Sequence, residues 1–167
     1  MLRVGKMADY ALVIMNVLGK QPTQLVSMEA LAQQTQLTLP TVRKLMRLLV
    51  NAGLVRSIRG AKGGYQLARL PEFINVVHIL AAVEGPVAIT ECCEEDVSCE
   101  LSGGCDMESH WSSINQLVMH LLTNISLADL KQHQSGPAID LRAILERLLK
   151  AEMFTDVMCD SGQSVYL

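Results

Sequence analysis

A chain of 167 residues that is 50% hydrophobic and only 4% aromatic has material for one compact domain with an aliphatic, methionine-filled core. No stretch reaches the length of a membrane span, and the opening Met-Leu-Arg-Val-Gly-Lys-Met-Ala-Asp has neither a long apolar run nor a small-residue cleavage site, so a cytoplasmic protein is expected. The net charge of −3 hides an asymmetry: residues 1–70 hold ten Lys/Arg against two acids, and residues 71–167 hold four against fifteen. A basic half beside an acidic half implies a polyanion-binding module joined to a part that must not bind the polyanion. No nucleophile–base constellation is present, which argues against an enzyme.

Met7 to Leu18 reads as a helix, with Met7, Ala11, Ile14, Met15 and Leu18 at helical spacing and with Gly19 and Pro22 as its stop. Asp9 lies in its first turn, where a carboxylate suits the helix dipole. Ser27 is placed to cap a short helix, Met28 to Gln34, with Ala30 and Leu31 facing in. After the polar turn Thr35-Gln36-Leu37 a second helix starts at Thr38 or Leu39, tolerates Pro40 in its first turn, and stops at Gly53. Val42, Leu45, Met46 and Leu49 form its buried stripe, and Thr41, Arg43, Lys44 and Arg47 fall off that stripe. This is the helix-turn-helix pattern, although an ordinary helical hairpin with solvated basic residues would read the same way.

The next segment favours the former. Leu54 to Ile58 alternates as a strand, Arg59-Gly-Ala-Lys-Gly-Gly is a cationic glycine-rich loop, and Tyr65-Gln-Leu is a return strand. The glycine spacing matches neither nucleotide fingerprint, and no helix opens after it, so a hairpin tip reaching a DNA backbone or minor groove fits better. The expected fold is mainly α with a small β-hairpin wing: a winged helix-turn-helix over residues 1–70, followed by a long dimerisation helix. Thr41, Arg43, Lys44 and Arg47 would enter the major groove, and Arg59 and Lys62 would place the wing.

Pro71 and Asn75 open a helix from Val76 to Val83 that ends at Gly85-Pro86, with His78 expected to be packed or half-exposed. From Glu91 to His110 the chain is almost devoid of apolar residues. Four of the five cysteines lie here: Cys92, and the evenly spaced Cys93, Cys99 and Cys105, among seven carboxylates. So polar a stretch needs an ordering force other than hydrophobic burial, and a metal or metal cluster supplies one. Zinc usually takes close cysteine pairs, whereas evenly spaced thiols can wrap an iron–sulfur cluster; the spacing alone leans only slightly to the cluster. Ser109 can cap a helix from His110 to about Asn124, on which Trp111, Ile114, Val118, Leu121 and Ile125 form a two-heptad seam broadened by Leu117 and Leu122. That seam is the expected dimer contact. Ser126-Leu-Ala-Asp129 reads as a capping box, Gln134 to Pro137 as a linker, and Asp140 as the cap of a helix reaching Lys150 with Leu141, Ile144, Leu145, Leu148 and Leu149 on one side. Cys159 fits no pattern. The division expected is 1–70 for DNA binding, 71–133 for the cysteine loop and dimerisation, and 134–167 as an extension of unassigned role.

The winged helix with Arg59-Gly-Ala-Lys-Gly-Gly-Tyr, the triad Cys93, Cys99 and Cys105, and Trp111 on the helix that follows together resemble the Rrf-two family of winged-helix iron–sulfur transcriptional regulators, over roughly residues 1–133. The resemblance implies a homodimer on a pseudo-palindromic operator in double-stranded DNA, a [2Fe-2S] or [4Fe-4S] cluster, and repression of cluster-assembly genes. Some members carry a histidine ligand three residues after the last cysteine; that position here is Glu108, and the nearest histidine is His110. Others complete the site with an aspartate early in the first helix of the partner subunit, and the matching position is Asp9. The order of preference for the fourth ligand is Asp9, then Glu108 or His110, then Cys92. The alternatives are a nitric-oxide or redox-responsive regulator of the same fold, and a zinc-stabilised regulator using Cys93, Cys99, Cys105 and His110. An electron-transfer protein would have no use for the basic winged helix.

Overall fold

The computed structural model describes residues 4–60, 63–90, 93, 105–131, 139–140 and 142–148. Helix α1 (Lys6–Lys20) buries Ala8, Ala11, Ile14, Met15 and Leu18. It runs past the expected stop: Gly19 is buried inside its last turn, and the chain leaves helical geometry at Gln21 (φ −136°, ψ 70°). Pro22 is the cause, since the ring clashes with a helical conformation of the residue before it.

Helix α2 (Met28–Thr35) begins where the Ser27 Oγ accepts the Ala30 N–H at 3.1 Å. The turn to α3 (Leu39–Asn51) passes through Gln36 in the left-handed region (φ 58°). Thr38 is the N-cap residue of α3, but its hydroxyl bonds to that of Thr41 at 2.9 Å and not to the backbone. Val42, Leu45, Met46 and Leu49 are all buried, as the stripe predicts. The helix ends on two backbone bonds, Gly53 N–H to the Val50 carbonyl and Leu54 N–H to the Leu49 carbonyl, each 3.0 Å. This geometry needs a left-handed residue, and Gly53 (φ 69°) provides it without a side-chain clash. Leu54 and Leu49, brought together by that reversal, are both core residues.

Strands β1 (Val55–Ile58) and β2 (Gly64–Leu67) pair antiparallel in the register Val55↔Leu67, Arg56↔Gln66, Ser57↔Tyr65 and Ile58↔Gly64. Val26 adds a single antiparallel bridge to β2, exchanging two 2.9 Å backbone bonds with Tyr65. A side chain at Gly64 would stand 2.8 Å from the Val26 carbonyl oxygen, so the glycine lets this bridge close. The hairpin is thereby held to the α1–α2 connection as well as to α3.

A 3-10 turn (Pro71–Phe73) leads to α4 (Val76–Glu84), capped by the Asn75 Oδ1, which accepts the His78 N–H at 2.9 Å. Gly85 (φ 86°) ends it, as expected. His78 itself is exposed. Helix α5 (Glu108–Thr123) starts earlier than expected: Ser109 lies inside its first turn, where its carbonyl accepts the Ser113 hydroxyl, and Met107 holds the cap position. After α5 the chain returns to α4 through two backbone bonds, Val76 N–H to the Ile125 carbonyl (2.9 Å) and Leu127 N–H to the Ile74 carbonyl (2.7 Å). Leu127 is fully buried, and with Ile74 and Ile79 it belongs to the same core as Ile14, Leu45 and Leu67. One aliphatic core therefore crosses the expected boundary at residue 70, with each fully buried Leu or Ile contributing about 1.5–3 kcal/mol.

The capping box at Ser126–Asp129 is reciprocal. Asp129 Oδ2 accepts the Ser126 N–H (2.8 Å) and hydroxyl (2.7 Å), while Ser126 Oγ accepts the Asp129 N–H (3.2 Å). Asp129 Oδ1 also receives Arg147 Nη2 at 3.0 Å, tying a C-terminal helix over 142–148 to the turn at Asp129–Lys131. Asp140 Oδ1 caps that helix by accepting the Arg142 and Ala143 N–H groups, both at 3.1 Å. Ile144 and Leu148 are buried, whereas Leu145, expected on the same side, is 54% exposed. Leu141, Leu149, Cys159 and the 134–137 linker lie outside the described residues.

Partial burial pushes the Asp129 pKa up, but the Ser126 hydroxyl and N–H and the Arg147 guanidinium outweigh it and hold the carboxyl below 3.8. A depressed carboxyl stabilises the fold above its unfolded pKa and loses that contribution as pH falls through its folded value. Asp129→Asn is therefore expected to lower the melting temperature at neutral pH. The gap to the wild type should close as the pH falls below 3.8, which paired thermal melts across that range would check.

Candidate nucleic-acid interface and cysteine loop

Burial of one face of α3 decides what its other face offers. Arg43, Lys44 and Arg47 are exposed and Thr41 is half-buried. Among the described residues none of these cations has a carboxylate partner; the ion pair found there is Arg147 with Asp129. Strand alternation then divides the hairpin: Ser57 and Tyr65, paired across it, turn towards α3. Together they form a cleft of about 240 Å³ in which Arg43, Arg47 and Asn51 of α3 face Ser57 and Tyr65 of the hairpin. Lys44 lies outside the cleft lining, and the Thr41 hydroxyl is engaged with Thr38. Arg59 is exposed where the loop leaves β1, and Lys62 lies outside the described residues. Asn51, Ser57 and Tyr65 were not singled out from the sequence. Asn51 is one helical turn beyond Arg47, and the hairpin register identifies the other two.

The cysteine loop is framed by two described thiols. Cys93 closes a tight turn, its N–H bonded to the Thr90 carbonyl at 2.9 Å, with its Sγ 3.3 Å from the Thr90 hydroxyl. The segment before it is pinned to α5, where Asn115 Oδ1 accepts the Ile89 N–H at 3.1 Å. Cys105 precedes α5, and its carbonyl accepts the Glu108 N–H at 3.3 Å. Both thiols are free and half-buried. Glu108 and His110 are exposed in the first turn of α5, and Asp9 is exposed on α1. Cys92 and Cys99 lie outside the described residues. Among the described residues, no three donors form a group that could hold a metal ion. The donor chemistry nevertheless fits an iron–sulfur cluster or zinc: soft thiols at both ends of one loop, with exposed carboxylate and imidazole groups nearby in sequence.

Helix α5 buries none of its residues completely. Its inner face has Val118 and Leu122 over a cavity of about 430 Å³ that also contacts Val4, Leu80, Glu84 and residues 86–89. Leu122 and Ile125 pack on the Ala8, Val76 and Leu80 cluster. Ile114 (42% exposed) and Leu117 (62%) face outward. The expected seam is thus divided: Val118 and Ile125 serve the chain's own fold, and the outward apolar row runs through Ile114, Leu117 and the half-buried Leu121.

A helix-turn-helix whose second helix carries unpaired cations, followed by a β-hairpin that walls the same cleft, defines a winged-helix DNA-binding protein. The chain belongs to the Rrf2 (Rrf-two) family: the family pattern described as an iron-dependent transcriptional regulator matches residues 4–133. It is 32% identical over 139 residues to the HTH-type transcriptional regulator CymR of Bacillus subtilis, covering 81% of this chain and 94% of that one. The structure of B. subtilis CymR, described as the global cysteine regulator, superposes with a TM-score of 0.67 at 30% identity over 81% of this chain and all of that one. T. potens IscR superposes with a TM-score of 0.61, also at 30% identity, over 81% of this chain and 94% of its own. The protein is accordingly a DNA-binding transcriptional regulator, as its relatives are, and not an enzyme. No helix among the described residues is long and apolar enough to cross a membrane.

Proposed function

We propose that this regulator is a homodimeric repressor whose operator affinity is set by an iron–sulfur cluster held on the cysteine-bearing segment between α4 and α5. The observation that carries this reading is the placement of free Cys93 and Cys105 at the two ends of a carboxylate-rich loop that runs directly into α5. Cys93, Cys99 and Cys105 would be three ligands and Asp9 of the partner subunit the fourth, with Glu108, His110 and Cys92 as the other candidates. When bound, such a group supplies chemistry that responds to oxidants, nitric oxide and cluster supply. The chain's own part is to hold the thiols and to read DNA. Arg43, Lys44, Arg47 and Thr41 would meet the major groove, with Arg59 and Lys62 on the backbone beside the wing. Two copies paired along the outward row of α5 require half-sites about one helical turn, ~34 Å, apart. Residues 1–70 would act as the reading head, 71–133 as the sensing and pairing part and 134–167 as an accessory extension. The regulated genes would be those of cluster assembly.

A second reading is a regulator of the same fold that holds no cluster, favoured by the similarity to CymR, a cysteine regulator. Zinc on the same thiols is its metal-bound form. Anaerobic purification separates them: the cluster reading expects a coloured protein with stoichiometric iron and sulfide, and a colourless protein with zinc or no metal sinks it. Asp9→Ala should shorten the lifetime of the colour, while an unchanged spectrum and lifetime would remove Asp9 from the ligand set. Cluster-loaded and cluster-free forms should differ in operator affinity at fixed salt; equal affinities refute the coupling.

The pairing surface has its own test. Leu117→Glu puts a charge into the outward row, and is expected to shift the protein from dimer to monomer in sedimentation and to weaken operator binding while the monomer remains folded. For the reading helix, Arg47→Ala should cost about 1–3 kcal/mol of operator binding if the side chain contacts a base edge, and relax selectivity at that base pair in a binding-site selection.

A further inference from the structure

The two faces of the hairpin are not alike. Ser57 and Tyr65 face the reading helix, and the neighbouring pair, Arg56 and Gln66, lies on the opposite face. On that side a second cleft, about 300 Å³, opens between the α1–α2 connection at Pro22 and Thr23 and the end of β2, with Arg56, Gln66 and Arg69 among its walls. This volume is at the small end of the range for ligand sites. Gln66 is only 6% exposed, an unusual setting for a polar side chain, and with its amide turned so that the oxygen meets Arg56 it accepts from both Nε and Nη2 of that guanidinium. The buried amide therefore fixes the Arg56 guanidinium at the cleft. Arg69 is exposed and, like Arg56, has no carboxylate partner among the described residues. Nearby, partial burial of the imidazole first, and the Arg69 charge second, lower the His78 pKa from its ordinary value. Two guanidinium groups without carboxylate partners among the described residues, with Thr23 in the same lining, supply the kind of donors that phosphate oxygens accept.

We infer that the cleft on the outer face of the wing, walled by Thr23, Arg56, Gln66 and Arg69, is a phosphate-binding site separate from the reading cleft. The phosphate comes either from the DNA backbone beside the wing or from a free phosphate-bearing molecule. In both cases it would bridge the hairpin to the α1–α2 connection and fix the angle of the wing. The site does not depend on what the cysteine loop holds.

The test uses the full chain and a mixed-sequence duplex, because phosphate contacts are independent of sequence. Binding is measured across a salt series for the wild type, Arg69→Gln, and Arg56→Gln with Arg69→Gln. Arg142→Gln removes an equal charge far along the chain and serves as the control; thermal melts report folding, and Arg69→Gln alone keeps the test valid if loss of Arg56 disturbs Gln66. In parallel, inorganic phosphate is titrated into the DNA-free protein while the amide resonances of Ala68 and Arg69 are followed. If the source is DNA, the slope of log affinity against log salt falls by about one for each arginine lost, and Arg142→Gln leaves it unchanged. If the source is a free molecule, the slope stays constant, and saturable phosphate-induced shifts seen in the wild type vanish in the variants. An unchanged slope together with no saturable shift overturns the site, as does an equal fall in slope for Arg142→Gln unaccompanied by such shifts.

Discussion

The arrangement depends on the backbone stitch between residues 74–76 and 125–127. Two hydrogen bonds, Val76 to Ile125 and Leu127 to Ile74, bring the chain back to its core after the excursion through the cysteine loop and α5. Without that return, α5 would be held by the small cluster around Ala8, Val76 and Leu80 and by the Asn115–Ile89 bond, and a helix with no fully buried residue cannot supply its own anchorage. The stitch also determines where compliance lies. The C-terminal end of α5 is fixed to α4, its middle is tied to Ile89 through Asn115, and its N-terminal turn joins the cysteine loop. Under the proposed function, a change at the thiols acts on the less anchored end of a lever whose far end is built into the DNA-binding core. Because the paired copy would lie along the same helix, tilting α5 redirects one reading head relative to the other.

How much of this was legible in the sequence follows from how many interpretations each pattern admits. The stripe on α3 has one: four apolar residues at helical spacing, punctuated by Pro40 and Gly53, leave the basic residues only the outer face, and the structure agrees residue by residue. The caps at Ser27, Asn75 and Asp140 and the box at Ser126–Asp129 were legible because a short polar side chain at a helix start often caps it, whereas Ser109 proved to lie inside α5 and the Thr38 hydroxyl turned to Thr41. Helix α5 has apolar residues around more than half its circumference, so periodicity could not say which of them the fold itself would claim. Val118, Leu122 and Ile125 went inward, and the outward row was left with Ile114 and Leu117. Gly19 misled because glycine also serves close packing within a helix, and Pro22 was the effective stop. Two of the anticipated ligand cysteines, Cys92 and Cys99, and the wing residue Lys62 lie outside the described residues, so the candidate site is seen through its flanks, Cys93, Cys105 and Arg59.

The charge asymmetry acquires a spatial meaning from the fold. The cations of α3 have no carboxylate partners among the described residues, while the acids gather in the loop and beyond. Screening confines strong effects to a range of roughly 8 Å at physiological salt, so the acidic loop need only stand a modest distance from the reading cleft to leave it attractive to DNA. Acidic charge of this kind disfavours the approach of a phosphate backbone to the part of the chain that carries it. If the cleft walled by Arg56 and Arg69 takes DNA phosphate, it adds to the cationic surface that the reading helix offers.

Similarity to both a cysteine regulator and IscR sharpens what the fold can and cannot decide. Each of these proteins superposes on this chain over 81% of its length, so the fold they share does not by itself decide the signal. Whatever distinguishes the signals must be carried by the segments that the core does not dictate. In this chain the stretch between Cys93 and Cys105 is rich in carboxylates, and under the proposed function its thiols hold the group that answers the signal. Local bonds set the start of that stretch, Thr90 with Cys93 and Ile89 with Asn115 of α5, so under the proposed function its own sequence is left to determine its chemistry.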